Sequence, residues 1–171
     1  MISVLLLIAF LFFTVIFQIT VLDFFSLGPI SIEITPIMVI YAGFRFNAIY
    51  SSIFSFLLGF FVDTLINPPI GGLYILIYVS LFYISFLASA RMNTDNTFSL
   101  SLFTGICFFL QGVLISLFHW LILNEDIFNS IFRIFIPQAI LMGILSPFLY
   151  RILGYFEVLF YAEDRQPDRR L

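Results

Sequence analysis

The chain has 171 residues, 62% hydrophobic and only 10% charged, with a formal net charge of −3 and a mean hydropathy of +1.14. Soluble domains are about half apolar and about a quarter charged, so this composition excludes an ordinary water-soluble fold and requires lipid as solvent. The apolar runs are continuous and do not alternate as membrane-barrel strands do. At about 20 residues per helical span, the length holds an all-α integral membrane protein of five or six spans and leaves no room for a soluble domain.

The first span is expected over residues 2–22, with Gln18 and Thr20 near its end and Asp23 closing it. Its start has no basic region and no small-x-small cleavage site, so it reads as a retained span and not as a signal peptide. Residues 24–34 contain Gly28-Pro29 and then ISIEI with Glu33, a turn followed by a short loop or extended segment. Span 2 starts near Thr35-Pro36, where proline's missing N–H has no intrahelical use. Its apolar run is short before Arg45, so the helix either begins inside the preceding segment or crosses only part of the bilayer. Span 3 covers 48–66 and holds Gly59 and Asp63. The break Asn67-Pro68-Pro69-Ile70-Gly71-Gly72 ends it, because the prolines cannot continue a helix and the glycines permit positive φ. Span 4 covers 73–90 and closes at Arg91, span 5 covers 98–123, and a short interfacial helix is expected over 127–136, with Asn129, Ser130 and Arg133 on one face. Span 6 is expected from Pro137 to Gly154. The domain reading is thus a transmembrane domain over 1–154 and a short cytoplasmic tail over 155–171.

Arginine alone carries the topology signal, since the chain contains no lysine. Arg45, Arg91, Arg151, Arg165, Arg169 and Arg170 follow even-numbered spans, whereas Asp23, Glu33, Glu125 and Asp126 follow odd-numbered ones. The positive-inside rule then puts both termini in the cytoplasm. Arg133 dissents, and its long stem allows it to snorkel.

Asp63 is the one carboxylate inside an expected span. A charge at a span centre costs about 2.5–3.5 kcal/mol on insertion scales, so the residue needs a reason: a cap for orphan N–H groups in the following break, a contact to a partner, or a proton or ion relay. Ser101, Gly105, Gly112 and Ser116 form a small-residue stripe on span 5, which serves either packing within the chain or a homodimer face. Gln111 beside it is placed to hydrogen-bond across helices. His119 is the only histidine and Cys107 the only cysteine, too few for a metal site, a disulfide or a triad. No Gly-rich loop with lysine exists for phosphate, and no basic surface for nucleic acid. Neither an enzyme nor a cofactor is expected.

Three stretches together resemble the rod shape-determining protein MreD family of bacterial inner membranes: PIMVIYAGFR (36–45), GFFVDTLINPPIGGLYILIYVSLFYI (59–84) and IPQAILMGILSPFLYRIL (136–153). Length and six-span layout agree. The family often carries a basic run after its fourth span, where this chain has only Arg91. The resemblance implies a non-catalytic subunit of the cell-elongation machinery that binds the bitopic protein MreC and lies near the wall synthase and MreB. It also implies a fold similar to the six-helix substrate-binding subunits of energy-coupling-factor transporters. A vitamin-binding subunit of that kind is therefore the alternative, although span 1 has only Ala9 where such subunits carry a small-residue docking motif. The residues expected to cap the hairpin or meet the partner are Gly59, Asp63, Asn67, Pro68, Pro69, Gly71, Gly72 and Tyr78. Membrane lipid is the remaining expected partner.

Overall fold

The computed structural model describes residues 13–18, 20, 32–92, 97–124 and 131–161. Most of span 1, the Gly28-Pro29 turn, residues 93–96, the acidic pair Glu125-Asp126, Asn129, Ser130 and the tail from 162 lie outside them. Among the described residues the chain is all-helical, with no strand. A helical segment at 13–18 (α1) is followed by α2 (Ile34–Arg45), α3 (Ala48–Ile66), α4 (Leu73–Ser89), α5 (Thr97–Phe118) and α6 (Ile136–Tyr161). Three helical stretches are long and apolar enough to cross a membrane: Ala48–Ile66, Phe98–Leu123 and Arg133–Tyr155.

The short helix sits in the middle. The 12 residues of α2 rise about 18 Å at 1.5 Å each, less than the roughly 30 Å of a hydrocarbon core. The helix begins at Ile34, the last residue of the segment expected to precede it, and is shorter than a hydrocarbon core is thick. Thr35 through Gly43 are all buried, which suits a helix that is apolar all round. It packs against α3, α4, α5 and α6. Gly43 lets it cross α4 closely: a Cβ there would lie 2.8 Å from Ser85 Cβ.

Two further seams close on small residues. A Cβ on Gly59 would lie 2.6 Å from Ile75 Cα, so α3 and α4 touch backbone to backbone. A Cβ on Gly105 would approach the Ala139 carbonyl at 3.2 Å, and one on Gly143 the Ser101 carbonyl at 3.2 Å, which brings α5 and α6 together in the same way. Pro147 lies inside α6 and takes away the N–H that would bond the Gly143 carbonyl. Two hydroxyls replace it: Ser146 Oγ donates to that oxygen at 2.8 Å, and Ser101 Oγ donates to it from α5. The kink-prone position is thereby tied to the neighbouring helix.

Other buried hydroxyls bond along their own helices, Ser55 donating to the Ser51 carbonyl at 2.7 Å and Ser85 to the Leu81 carbonyl at 2.7 Å, while Ser51 donates across to the Ala42 carbonyl of α2 at 2.8 Å. The outer faces are apolar: Ile49, Phe56, Tyr83, Leu102, Ile144 and Phe148 are all exposed.

The last helix differs from expectation at both ends. Residues Ile131–Phe135 form a π-helical turn that leads directly into α6, so from Ile131 onward the separate interfacial helix is the start of the last helix. At the other end α6 runs on through Gly154 to Tyr161. A single glycine costs a helix only about 1 kcal/mol, and the apolar run continues beyond it.

Candidate functional site

The α3–α4 hairpin carries the motif singled out in the sequence. Asn67 ends α3 in the left-handed conformation (φ 49°), its N–H donating to the Asp63 carbonyl at 3.0 Å. Asparagine is one of the few residues that adopt this conformation readily, and Pro68-Pro69 then forbid further helix. Gly72 starts α4 with φ 84°. No atom crowds a Cβ on Gly71 or Gly72, so the requirement for glycine at 72 is one of backbone conformation alone.

The first turn of a helix leaves N–H groups without intrahelical partners. In α4 they are all engaged. The Leu73 N–H reaches the Ile70 carbonyl at 3.4 Å. The Tyr74 N–H donates to Asp63 Oδ1 at 3.2 Å and the Ile75 N–H to Asp63 Oδ2 at 3.1 Å. Both oxygens of one carboxylate on α3 thus cap the next helix, and the negative charge sits at the favourable end of the α4 dipole. Gly59, one turn before Asp63, permits the close approach that makes the reach possible.

A second cap of the same kind lies beside it. Gln18 Oε1 on α1 accepts from the Ile34 N–H at 2.9 Å, the Thr35 N–H at 2.8 Å and the Thr35 hydroxyl at 2.7 Å. Pro36 has no N–H to satisfy, so one amide oxygen and one proline settle the first turn of α2. The Tyr78 hydroxyl, fully buried, donates to Thr35 Oγ1 at 3.0 Å and joins α4 to this cap.

Glu33, at the N-cap position of α2, completes the cluster. It accepts from Gln111 Nε2 of α5 at 2.7 Å and from Gln138 Nε2 of α6 at 3.1 Å. A carboxylate only accepts, so Gln111 must turn its donor inward, and its own Oε1 has no partner among the described residues. Six helices meet at this polar end through Gln18, Glu33, Asp63, Tyr78, Gln111 and Gln138. Sequence reasoning placed Glu33 in a loop and Gln18 at an interface, and it passed over Gln138. The available signal was an amide in each of three otherwise apolar runs.

The span 5 stripe faces inward over most of its length. Ser101 and Gly105 meet α6, and a Cβ on Gly112 would lie 2.3 Å from the Phe135 ring. Ser116 is buried. Gly112→Leu is therefore expected to destabilise the folded monomer by about 1–3 kcal/mol through overpacking without changing its oligomeric state, as read by thermal unfolding and light scattering in detergent. His119 begins a π-helical turn and bonds the Ile115 carbonyl through Nδ1 at 2.9 Å, with half-exposed Trp120 beside it. Cys107 is fully buried. No cluster of three metal-ligating side chains occurs among the described residues. The chemistry available at the polar end is hydrogen bonding that holds helices in register.

The class these features define is an all-helical protein, with three helices long and apolar enough to cross a membrane and an apolar exterior compatible with lipid. No protein-family model, no curated protein and no solved structure matches the chain.

Proposed function

We propose that this chain is a six-span, non-catalytic scaffold of the bacterial inner membrane, of the rod shape-determining MreD type. It binds MreC and so supports lateral wall synthesis, with the wall synthase and MreB as indirect partners. The observation that carries this reading is the capped hairpin. Gly59, Asp63 and Gly72, the residues of the resemblance, each have a specific task in joining α3 to α4.

Charge distribution agrees with the reading. Glu33 and Asp63 lie at one end of the bundle, and Arg45, Arg91 and Arg151 at the other. Arginines mark the cytoplasmic side, which puts the hairpin and the polar end on the outer face, where the MreC ectodomain emerges. The mechanism is binding: the scaffold stabilises one conformation or assembly of MreC by its differential affinity for it.

The test is co-purification with MreC from membranes. Gly72→Val forces a β-branched residue into the left-handed region, at a cost of about 1–2 kcal/mol, and is expected to reduce recovery of MreC while the chain still inserts. Gly71→Ala, with open space and no positive φ, is expected to leave recovery unchanged. Failure of the wild-type chain to retain MreC, together with saturable binding of a vitamin, would turn the assignment to a transporter subunit.

A further inference from the structure

At the end of the bundle opposite Asp63, a groove of about 540 Å³ opens between α2, α5 and α6. Its size falls within the roughly 300–1,000 Å³ of ligand sites. Arg45, the last residue of α2, and Arg151 of α6 both line it, and no carboxylate among the described residues does. The carboxylates whose side chains are described, Glu33 and Asp63, are committed to the other end. Two permanent cations therefore share one concavity without a described counter-ion, and a guanidinium cannot relieve the repulsion by losing its proton.

The remaining wall is aromatic and apolar. Tyr41 and Tyr150 stack with ring centroids 5.7 Å apart, and Phe44, Leu100 and Phe148 are among the other lining residues. The Thr104 hydroxyl donates to the Leu100 carbonyl at 2.8 Å, so the Tyr150 hydroxyl, 2.9 Å from Thr104 Oγ1, is the donor of that pair and is spent inward. Phe148 is 64% exposed on the outer flank. The groove thus offers guanidinium donors beside an apolar surface that continues onto the outside of the bundle.

We propose that this groove binds a phosphate group through Arg45 and Arg151, and that in the membrane the group is the headgroup phosphate of an anionic glycerophospholipid. Guanidinium forks match phosphate oxygens in pairs. The stacked tyrosines and the phenylalanines take the glycerol and the first methylenes of the acyl chains. Arginines near a span end reach headgroup depth by snorkelling, and the cytoplasmic leaflet is the one whose anionic lipids attract basic residues. The inference rests on the membrane-spanning part of the functional reading and is independent of MreC.

The experiment uses the full chain, purified in a neutral detergent after alkaline washing of membranes. Its thermal midpoint is read against added phosphatidylglycerol, phosphatidylcholine or inorganic phosphate, and bound lipid is counted by native mass spectrometry. Phosphatidylglycerol is expected to raise the midpoint and remain bound, with phosphatidylcholine and inorganic phosphate without effect. Arg45→Gln combined with Arg151→Gln should leave the midpoint in detergent alone unchanged and weaken the lipid response about tenfold or more. Arg91→Gln, at the same end but outside the groove, should keep the response. An equal response to phosphatidylcholine, or an equal loss in Arg91→Gln, overturns the site. A full response to inorganic phosphate overturns the lipid as its occupant. Release of the chain by the alkaline wash overturns the membrane reading itself.

Discussion

Asp63→Ala is expected to destabilise the folded chain by about 2–4 kcal/mol, because two N–H groups at the start of α4 lose a charged acceptor in a half-buried setting. Nothing nearby replaces it: the next oxygen in the break, the Ile70 carbonyl, is already taken by the Leu73 N–H. Asp63→Asn keeps one acceptor oxygen of similar shape and is expected to lose about half as much, since the remaining bond is no longer charge-assisted. Equilibrium unfolding in detergent reads the difference, and amide exchange at Tyr74 and Ile75 localises it. An Asp63→Ala chain as stable as the parent, with unchanged protection at those two amides, would show that the clasp contributes nothing.

Glu33→Ala is the second large effect. It removes the carboxylate that accepts from the Gln111 and Gln138 amides, which sit on buried side chains. Each buried unsatisfied donor costs about 1–3 kcal/mol, so the pair is expected to lose about 2–5 kcal/mol. Glu33→Gln separates hydrogen bonding from charge. Its amide supplies one acceptor and one donor, and Gln111 has an unpartnered Oε1 that a rotation of its amide would present to that donor. Glu33→Gln is therefore expected to recover more than half of the lost stability, as measured by the same unfolding experiment. Equal losses in the two variants would mean that the carboxylate charge matters more than the network geometry.

Asp63 and Gln18 meet the same need. The bundle starts two helices, α2 and α4, at the same end, and each leaves a turn of N–H groups in a setting poor in water. Local capping serves neither, because the Glu33 carboxylate makes no cap bond and Gly72 has no side chain to make one. Side chains of the preceding helices do it instead, Gln18 from 16 and 17 residues away and Asp63 from 11 and 12. In a hydrocarbon surrounding, an unsatisfied backbone group costs several kcal/mol, so these contacts also set which helix pairs with which.

Much of the helix layout was legible before any coordinates. The bounds of α3 follow from an apolar run stopped by Asn67-Pro68-Pro69, and the start of α4 from Gly71-Gly72. Pro36 marked the first turn of α2, because a proline there gives up no intrahelical hydrogen bond. These are local effects, carried by residues adjacent to the feature they cause. The end of α6 was misjudged for the complementary reason: Gly154 reads as a local breaker, yet a single glycine costs a helix only about 1 kcal/mol and the helix runs on to Tyr161.

By itself, the sequence determined that this chain is helical, that its helices are apolar enough for lipid, and that its sharpest break falls at the Pro-Pro/Gly-Gly hinge. Each of these depends on composition or on neighbours within a turn. Only the tertiary structure decided that Asp63 caps α4, that Glu33 gathers Gln111 and Gln138 from 78 and 105 residues away, and that Arg45 and Arg151 share a groove. Those contacts depend on helix order and rotation, which the close approaches at Gly43, Gly59, Gly105 and Gly143 set, and no local pattern encodes which amide will face which carboxylate.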